Sequence, residues 1–522
     1  MAVIDFFDRG WALNPQGAAY VSTTGTWTYE EAGRTTCRVA NALLDAGATS
    51  DTKVAVLSPN DPLAWLCVLG TWRAGATWVP LNPDSPVEDS LTLLTRFHAE
   101  WLLYHSSMAD AALAALAQVP TLRRIVCIDD DAAPDALATM LAAASDAKPH
   151  VAVQMDDVIS IAPTGGTTGL PKGVMNTHRT FTTSFTNMML GFPYTAGEHA
   201  VSLAAAPMTH SSGMYSMPVS ARGGTVVVIP RAHADAILDA IEQHGVTELF
   251  LPPTVIYRIL DRLEHRGADT SSLKYLIYSA APMSTEKLRV AIDRLGPVMT
   301  EVYGQMEAPA GITYLSPHDH FVDGVLGGEL HGDDVLASCG RPFPSVEVGV
   351  LDPESSQRVA DGETGEICVR GDIVMRGYYD DPERTAETVI DGWLRTGDLG
   401  HVDAAGRIHL TDRRKDMIIS GGFNVYPSEV EQVIWSHPAV QDCAVVGVPD
   451  PDWGERVTAV VELNEGQTAT ADEIVALCKE RLGGVRTPKQ VEFVDSLPRS
   501  VNGKVLKKDI RERFWSGHAR RI

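Results

Sequence analysis

The chain has 522 residues and a formal charge of −24, because 67 Asp and Glu outnumber 43 Lys and Arg. This length exceeds what one hydrophobic core supports, so at least two domains are expected. A surface this acidic repels nucleic acid and anionic membranes, so neither is expected as a partner. No apolar run approaches the roughly 18 residues of a membrane-spanning helix, so no transmembrane segment is expected.

The N-terminal residues and the cysteines indicate the compartment. Asp5 and Asp8 stand where a secretory signal would carry basic residues, so we expect a cytoplasmic location. The seven cysteines are scattered, odd in number and never spaced as Cys-x-x-Cys. They predict buried reduced thiols rather than disulfides or zinc ligands.

Helix and strand patterns alternate from about Trp27 to Pro230. Helical stretches such as "YEEAGRTTCRVANALLDAG" are followed by short β-branched runs such as "KVAVLSP", "RRIVCID" and "GTVVVIP". This alternation predicts parallel strands joined by helical crossovers. It continues through "VTELFLPPTVIYRILDRLE" and "LKYLIYSAAPMSTEKLRVAIDRLG".

The pattern changes in the last third of the chain. From Val346 to Leu410, strands and turns such as "VEVGVLD" and "GEICVRG" predict a small β-rich subdomain. Beyond "DRRKDMIISGGFNVYPSEVE", helices and strands alternate over a tail with the size of a small domain. We therefore predict an α/β fold, with a large N-terminal domain of layered α/β subdomains over residues 1–412 and a small α+β C-terminal domain over residues 413–522.

The glycine-rich loop "TGGTTGLPKG" runs from Thr164 to Gly173. Its glycines let backbone amides turn toward an anion, and Lys172 adds a charge that reaches phosphate oxygens. It is not a P-loop, because Pro171 precedes Lys172 and Gly173 follows it, and this disfavours a phosphotransferase. From these residues alone, a phosphate site and a plain surface turn remain equal alternatives.

Further motifs follow this loop in a fixed order. They are "APMTHSSG" (206–213), "YSAAPMS" (278–284), "EVYGQMEAP" (301–309), "WLRTGDLG" (393–400), "DRRKDMIISGGFNVYPSEVE" (412–431) and "LPRSVNGKVLKK" (497–508). With these motifs the chain resembles the adenylate-forming superfamily of acyl-CoA synthetases, luciferases and adenylation domains. It is most similar to bacterial fatty-acid or carboxylic-acid CoA ligases, and the resemblance covers nearly the whole chain.

The resemblance implies an ATP-dependent carboxylic acid–CoA ligase that uses ATP, Mg²⁺ and CoA. The acid and ATP give acyl-AMP and pyrophosphate, and acyl-AMP and CoA then give acyl-CoA and AMP. One alternative is a free-standing acyl-adenylating enzyme that loads a carrier protein. Another is a catalytically impaired nucleotide-binding paralogue. A homodimer is a reasonable expectation.

The resemblance also implies a nucleotide site. Tyr303 would pack against adenine, while Asp398 and Arg413 would hold the ribose. Residues of the glycine-rich loop would hold the departing pyrophosphate. The implied nucleotide and phosphate residues are Thr164, Gly165, Gly166, Thr167, Thr168, Gly169, Lys172, Ser279, Ala280, Ala281, Tyr303, Gly304, Met306, Asp398 and Arg413.

Three residues are implied to act in adenylation. Lys504 would bridge the substrate carboxylate and the α-phosphate as charge shifts between them. Glu307 would help to bind Mg²⁺, a hard cation that suits carboxylate oxygens. His210 would lie beside the substrate carboxylate.

Met306 departs from the family pattern, which has threonine before the glutamate. Methionine cannot donate the hydroxyl hydrogen bond that reaches the phosphate region in relatives. Loss of one donor to a charged phosphate costs about 1.5–3 kcal/mol unless a neighbour replaces it. We therefore expect slower adenylation, but not its abolition.

The remaining expectations concern the second half-reaction and the acid. Lys415 falls at the implied hinge of a mobile C-terminal domain, and Gly421, Gly422 and Phe423 would line the path of CoA. The acyl pocket would include His210, Ser211, Ser212, Thr254, Tyr257, Ser279, Ala280, Gly304 and Ala308. These residues are mostly small, which favours a bulky ring or a longer chain over acetate.

Overall fold

The computed structural model describes residues 1–164, 171–209, 211–413, 415–499 and 504–515. Its first elements are α1 (Asp5–Leu13), β1 (Ala18–Ser22), β2 (Gly25–Thr28) and α2 (Tyr29–Asp45). Helix α2 begins after Thr28 because the Thr28 hydroxyl accepts from the Glu31 amide, while the Glu31 carboxylate accepts from the Thr28 amide. This reciprocal capping satisfies amides that a first helical turn leaves without partners.

The first large sheet follows α2. Its elements are β3 (Lys53–Leu57), α3 (Pro62–Arg73), β4 (Thr77–Pro80), α4 (Val87–Arg96), β5 (Trp101–Tyr104), α5 (Ala109–Gln118), β6 (Arg124–Cys127), α6 (Leu137–Ala142), β7 (Val158–Thr164) and β8 (Lys172–Thr177). Strands β3 to β7 pair in parallel in the order β7-β4-β3-β5-β6, as the alternating pattern predicts. Strand β8 turns back antiparallel to β7, so Thr164 and Lys172 face each other at the base of the glycine-rich loop.

The second large sheet is built from the next part of the chain. Its elements are α7 (His178–Gly191), β9 (Val201–Ala204), α8 (Ser211–Ala221), β10 (Thr225–Val228), α9 (Ala234–His244), β11 (Glu248–Leu251), α10 (Pro253–Arg266), β12 (Tyr275–Tyr278), α11 (Thr285–Leu295), β13 (Met299–Gln305), β14 (Ala308–Leu315), α12 (Asp333–Leu336) and β15 (Arg341–Pro342). The strands lie in the order β15-β14-β13-β12-β11-β9-β10-β1-β2. Strands β13 and β14 form an antiparallel hairpin that carries "YGQMEAP".

The predicted β-rich subdomain is present after β15. Its elements are β16 (Glu347–Leu351), β17 (Gly365–Arg370), β18 (Gly377–Tyr378), α13 (Pro382–Thr388), β19 (Val389–Ile390), β20 (Trp393–Val402) and β21 (Ile408–Arg413). Strands β16, β17, β20, β19 and β21 form one antiparallel sheet. Strand β18 instead pairs with β8 and so extends the first large sheet.

The tail has its own sheet and core. Its elements are β22 (Ile418–Ser420), β23 (Phe423–Val425), α14 (Pro427–Trp435), β24 (Val440–Asp450), β25 (Gly454–Leu463), α15 (Ala471–Arg486), β26 (Gln490–Val494) and α16 (Lys507–Trp515). Apolar residues of β22, β24, β25, α14 and α15 pack together in this core. Arg413 is still part of β21, and the predicted domain boundary at 412 and 413 stays a prediction.

The two large sheets share a hydrophobic core around α3. Helix α3 is apolar on all sides and is therefore buried on all sides. The rings of Trp65, Trp72 and Trp78 meet edge to face, with centres 5.5 Å apart for Trp65 and Trp72 and 6.1 Å apart for Trp65 and Trp78. This packing gives the loops at the strand ends a rigid support.

Two predictions of the composition can be compared with the structure. All seven cysteines are buried and unbridged, which confirms the predicted thiols. Within the ranges described above, the longest and most apolar helices fall short of what a membrane crossing requires. The expected alternation of helices and strands and the separate small tail are both present.

Candidate active site

Asp398 is the centre of the predicted ribose site. It lies on β20 opposite Arg413 on β21, and Arg413 Nε is 3.1 Å from Asp398 Oδ1. The hydroxyl of Tyr303 on β13 donates to Asp398 Oδ2 at 2.7 Å. The Asp398 carboxylate is nearly buried, and its charge raises the pKa of Arg413. Two strands and a hairpin thus bring three predicted nucleotide residues together.

Tyr303 is held by this arrangement. Burial raises the pKa of Tyr303 well above its ordinary value, and the negative charge of Asp398 raises it further. The phenol therefore stays protonated and acts as the donor. The Thr396 hydroxyl supports Asp398 from behind, because it accepts from the Asp398 amide at 3.1 Å and donates to the Ile367 carbonyl.

Lys504 comes from the tail, yet it lies among the nucleotide residues. It interacts electrostatically with Arg413, Asp398, Lys415 and Asp416. Lys504 is exposed over much of its surface, but protein crowds its ammonium group. This desolvation, and secondly the positive charge of Arg413, lower the pKa of Lys504 to about 8.

The glycine-rich loop is described only at its two ends. Thr164 and Lys172 are cross-strand partners there. The Thr164 hydroxyl is buried, and no described residue hydrogen-bonds to it. Gly165, Gly166, Thr167, Thr168 and Gly169, and likewise His210, lie outside the described residues.

Lys172 lies beside the predicted metal-binding residue. Its ammonium is 4.8 Å from the ring centre of Tyr378 on β18. The Tyr378 hydroxyl donates to Glu307 Oε1 at 2.8 Å. Desolvation and the positive charge of Arg384 lower the pKa of Lys172, while Glu307 opposes this shift. Tyr378 thus contacts both Lys172, which is predicted to bind phosphate, and Glu307, which is predicted to bind the metal.

Ser279, Ala280 and Ala281 follow the end of β12. Ala280 has φ of 75°, the left-handed region in which a Cβ atom is unfavourable. Gly304 lies at a crowded position near the end of β13, because a Cβ there would come within 3.0 Å of the Ala310 amide nitrogen and 3.2 Å of the Ala308 carbonyl oxygen. These positions favour small residues for steric reasons that are local to the backbone.

Met306 has a structural partner that the sequence analysis missed. Its carbonyl accepts a hydrogen bond from the side-chain amide of Asn176 at 3.2 Å. The Met306 side chain packs against a cluster that includes Val174 and Tyr378. Asn176 therefore holds the backbone of the hairpin in place, although it does not replace the missing hydroxyl of threonine.

Four of the predicted acyl-pocket residues lie on two helices. Ser211 and Ser212 begin α8, and the Ser212 hydroxyl is buried with no partner among the described residues. Thr254 and Tyr257 lie on α10, where the Tyr257 hydroxyl accepts from the Ser284 amide at 2.9 Å. These roles stay predictions.

Thr254 and Tyr257 also line a small cleft against the tail. Asp442 and Arg499 form its other side, and Arg499 Nη1 is 2.9 Å from Asp442 Oδ2. Helix α10 therefore lies at the border between the tail and the rest of the chain.

The predicted CoA residues form a turn between β22 and β23. Gly421 and Gly422 have φ of 59° and 81°, and the Gly421 amide donates to the Trp453 carbonyl at 2.8 Å. Phe423 and Trp453 expose 59% and 42% of their surfaces. Across the described parts of the chain, no hydrogen bond or ion pair links this turn to Asp398 or Lys172.

Polar contacts join the tail to β21 and to the segment that precedes α11. The Ser428 amide donates to Asp412 Oδ2 at 2.9 Å, and its hydroxyl donates to the Thr411 carbonyl. The side-chain amide of Gln432 donates to the Met283 carbonyl at 3.0 Å. These contacts hold the tail in the orientation that brings Lys504 to Asp398.

The comparisons with known proteins agree with this geometry. A family model described as AMP-binding enzyme matches residues 7–379. A second model, described as AMP-binding enzyme C-terminal domain, matches residues 429–504. The chain belongs to the AMP-binding enzymes.

This AMP-binding enzyme has similar relatives among characterised proteins. It is 37% identical to a feruloyl-CoA synthase of Amycolatopsis sp, over 96% of this chain and 97% of that protein. It is also 37% identical to the medium/long-chain-fatty-acid–CoA ligase FadD8 of Mycobacterium tuberculosis, over 91% of this chain and 84% of that protein.

Solved structures resemble this AMP-binding enzyme over nearly its whole length. The amide bond synthetase McbA from Marinactinospora thermotolerans matches with a TM-score of 0.87 and 30% identity, over 98% of this chain and 100% of that chain. ATP-bound MatB from Rhodopseudomonas palustris matches with a TM-score of 0.87 and 29% identity, over 99% and 100%.

These findings confirm several predictions. The superfamily and the α/β fold class are confirmed, as is ATP-dependent, AMP-forming ligation of a carboxylic acid to CoA. ATP and CoA are therefore substrates of this AMP-binding enzyme. The domain boundary and the roles of individual residues stay predictions.

Tyr378 and Asn176 hydrogen-bond to predicted site residues, and the sequence analysis did not identify either of them. The sequence offers one indication of Tyr378, the glycine that precedes it in "GYYDDPERT". In the structure Gly377 has φ of 147°, and a Cβ there would come within 2.7 Å of the Thr385 side chain. Such a glycine marks a constrained backbone directly before Tyr378. Asn176 leaves no comparable signal, since a polar residue in a strand is common.

Proposed function

We propose that this chain activates a bulky carboxylic acid as its acyl-adenylate and then transfers the acyl group to CoA. The observation that carries the proposal is the Asp398–Arg413 ion pair at 3.1 Å, with which Lys504 of the tail interacts electrostatically. A lysine from the tail beside a ribose site can stabilise the charge that develops between a carboxylate and an α-phosphate.

In the first half-reaction, the chain supplies position and charge rather than a nucleophile. Asp398 accepts hydrogen bonds from the ribose hydroxyls, and Arg413 pairs with that carboxylate at 3.1 Å. Lys172 and the glycine-rich loop neutralise the departing pyrophosphate. The Lys504 ammonium stabilises the negative charge that shifts from the carboxylate to the α-phosphate as the substrate oxygen attacks the α-phosphorus.

Glu307 fits the requirements of Mg²⁺. This ion is held through one or two carboxylates, with phosphate oxygens and water completing its shell. Over the described part of the chain, no cluster of three or more His, Cys, Asp or Glu side chains is placed to hold a metal. Glu307 would thus hold the ion together with ATP, and the bound ion supplies charge neutralisation on the phosphates.

In the second half-reaction, the tail would rotate about Lys415 and bring Gly421, Gly422 and Phe423 to the site. Hydrogen bonds of Ser428 and Gln432 join the tail to the rest of the chain, and the breaking of such single bonds is compatible with a rotation. The thiolate of CoA attacks the acyl-adenylate directly, so no protein nucleophile is required.

We propose an aromatic acid as the first substrate class to test. Support comes from the small residues near β12 and α8 and from the relative that is a feruloyl-CoA synthase. A medium-chain or long-chain fatty acid is the second class, because FadD8 is equally similar. A homodimer and a cytoplasmic location complete the proposal.

An acid panel tests the proposed function. The protein is incubated with ATP, Mg²⁺, CoA and one acid at a time: ferulate, indoleacetate, a medium-chain and a long-chain fatty acid, and acetate. AMP, pyrophosphate and an acyl-CoA are expected, with the highest kcat/KM for an aromatic acid. A preference for acetate would contradict the predicted pocket size, and ADP would contradict adenylation.

Two further outcomes separate the alternatives. Release of pyrophosphate without acyl-CoA, followed by acylation of an added carrier protein, would identify the carrier-loading enzyme. Binding of ATP without turnover of any acid would identify an impaired paralogue.

A further inference from the structure

Tyr378 connects two charged groups that come from distant parts of the chain. Its hydroxyl donates to Glu307 Oε1 at 2.8 Å, and the Lys172 ammonium lies 4.8 Å from its ring centre. Among the described residues, no second side chain hydrogen-bonds to the Glu307 carboxylate. Tyr378 is itself buried, with only 4% of its surface exposed.

The backbone of Tyr378 is held firmly from two sides. Strand β18 pairs with β8, with Tyr378 opposite Val174, and the Tyr379 amide donates to the Gly173 carbonyl at 2.8 Å. The Tyr378 amide donates to the Thr385 hydroxyl at 2.8 Å. A short strand from the β-rich part of the chain therefore places this ring beside the strand that begins at Lys172.

The contacts of Tyr378 suit this position. Its phenol hydroxyl donates to a carboxylate, and a hydrogen bond of that kind belongs to a strong class. The face of its ring attracts the Lys172 ammonium at the same time.

We infer that Tyr378 is a positioning residue for adenylation, whose hydroxyl orients the Glu307 carboxylate toward the metal and whose ring seats the Lys172 ammonium beside it. Metal-binding carboxylates depend on such outer partners, and loss of a partner typically weakens metal affinity or activity about 10–100-fold. This inference rests on the proposed roles of Glu307 and Lys172.

The test compares Tyr378→Phe with the unchanged protein by calorimetric titration of ATP, without acid and therefore without turnover. Phenylalanine keeps the ring near Lys172 and removes only the hydroxyl. In Mg²⁺ we expect ATP to bind at least about tenfold more weakly to Tyr378→Phe. In EDTA we expect equal affinities, because the hydroxyl acts through the metal ligand.

Tyr379→Phe is the matched control. It removes a neighbouring hydroxyl that lies 3.1 Å from His98 Nδ1 and has no contact with Glu307. We expect its ATP affinity to match that of the unchanged protein in both buffers. Equal affinity of Tyr378→Phe and Tyr379→Phe in Mg²⁺ would overturn the inference, and so would an equal loss for Tyr378→Phe in Mg²⁺ and EDTA.

Variants of Glu307 separate this inference from the proposed function. Glu307→Gln is expected to lose Mg²⁺-dependent ATP affinity, and no loss would refute the proposed metal role itself. Glu307→Asp keeps the charge but shortens its reach toward Tyr378, so it tests the same contact if Tyr378→Phe fails to fold. We expect Glu307→Asp and Tyr378→Phe to be non-additive in combination, and full additivity would overturn the positioning role.

Discussion

Arg413 Nε lies 3.1 Å from Asp398 Oδ1, across two antiparallel strands of the β-rich part of the chain. The ion pair stands next to Tyr303 from one large sheet and Lys504 from the tail. One carboxylate thus organises residues from three separate parts of the chain. The predictions below follow from this meeting and from the contacts around it.

Lys504→Ala should separate the two half-reactions. We expect adenylation to be almost abolished, because the charge shifting between carboxylate and α-phosphate loses its cation. Acyl-CoA formation from supplied acyl-adenylate should be largely preserved. Pyrophosphate release and thioester formation are measured separately, and equal losses in both would refute the divided role.

Adenylation should decline as the pH rises through about 8. The pKa of Lys504 is lowered from its ordinary value to about 8, so the required ammonium is present below that pH and is lost above it. The kcat/KM for pyrophosphate release, measured from pH 6 to 10, reports this titration in the free enzyme. Lys504→Arg, which stays charged, should remove the decline near pH 8, and an unchanged decline would assign it to another group.

Met306→Thr should leave adenylation equal or faster. Threonine restores a hydroxyl donor near the phosphates, while Asn176 continues to hold the carbonyl of this residue. One hydrogen bond to a charged group contributes about 1.5–3 kcal/mol, so full recovery of it would raise the adenylation rate about 10-fold or more. A large loss would instead show that the Met306 side chain supports the acyl pocket through its packing against the apolar cluster that includes Val174 and Tyr378.

Ala280→Gly should stabilise the fold. Ala280 has φ of 75°, and glycine avoids the steric cost of Cβ there, which is about 1 kcal/mol. The free energy of unfolding should rise by about that amount in denaturant titrations. Ala281→Gly is the matched control, and it should lower stability or leave it unchanged; equal effects at both positions would contradict the strain at Ala280.

Gln432→Ala should weaken adenylation more than thioester formation. The Gln432 amide donates to the Met283 carbonyl in the orientation that brings Lys504 to the site. Loss of this bond disfavours that orientation by about 1 kcal/mol, or roughly fivefold. The ratio of the two half-reaction rates is the measurement, and an unchanged ratio would argue against orientation-specific contact.

The predictability of the site differs between its parts. Tyr303, Asp398, Arg413 and Lys504 stand in motifs whose residue order can be read directly, and the structure brings them together. Tyr378 and Asn176 could not be found in this way. Their roles arise because β18 crosses from one part of the chain to pair with β8, and because Asn176 points to the carbonyl of a hairpin far along the chain.

The sequence by itself determined the α/β class, the separate tail and the family of reactions. These features depend on local periodicity and on residues close together in the chain, such as the glycines before Lys172. Only the tertiary structure decided which charged groups lie close to one another. The bond from Tyr378 to Glu307, and the pKa of Lys504 near 8, depend on packing and desolvation among distant segments, and no local pattern carries that information.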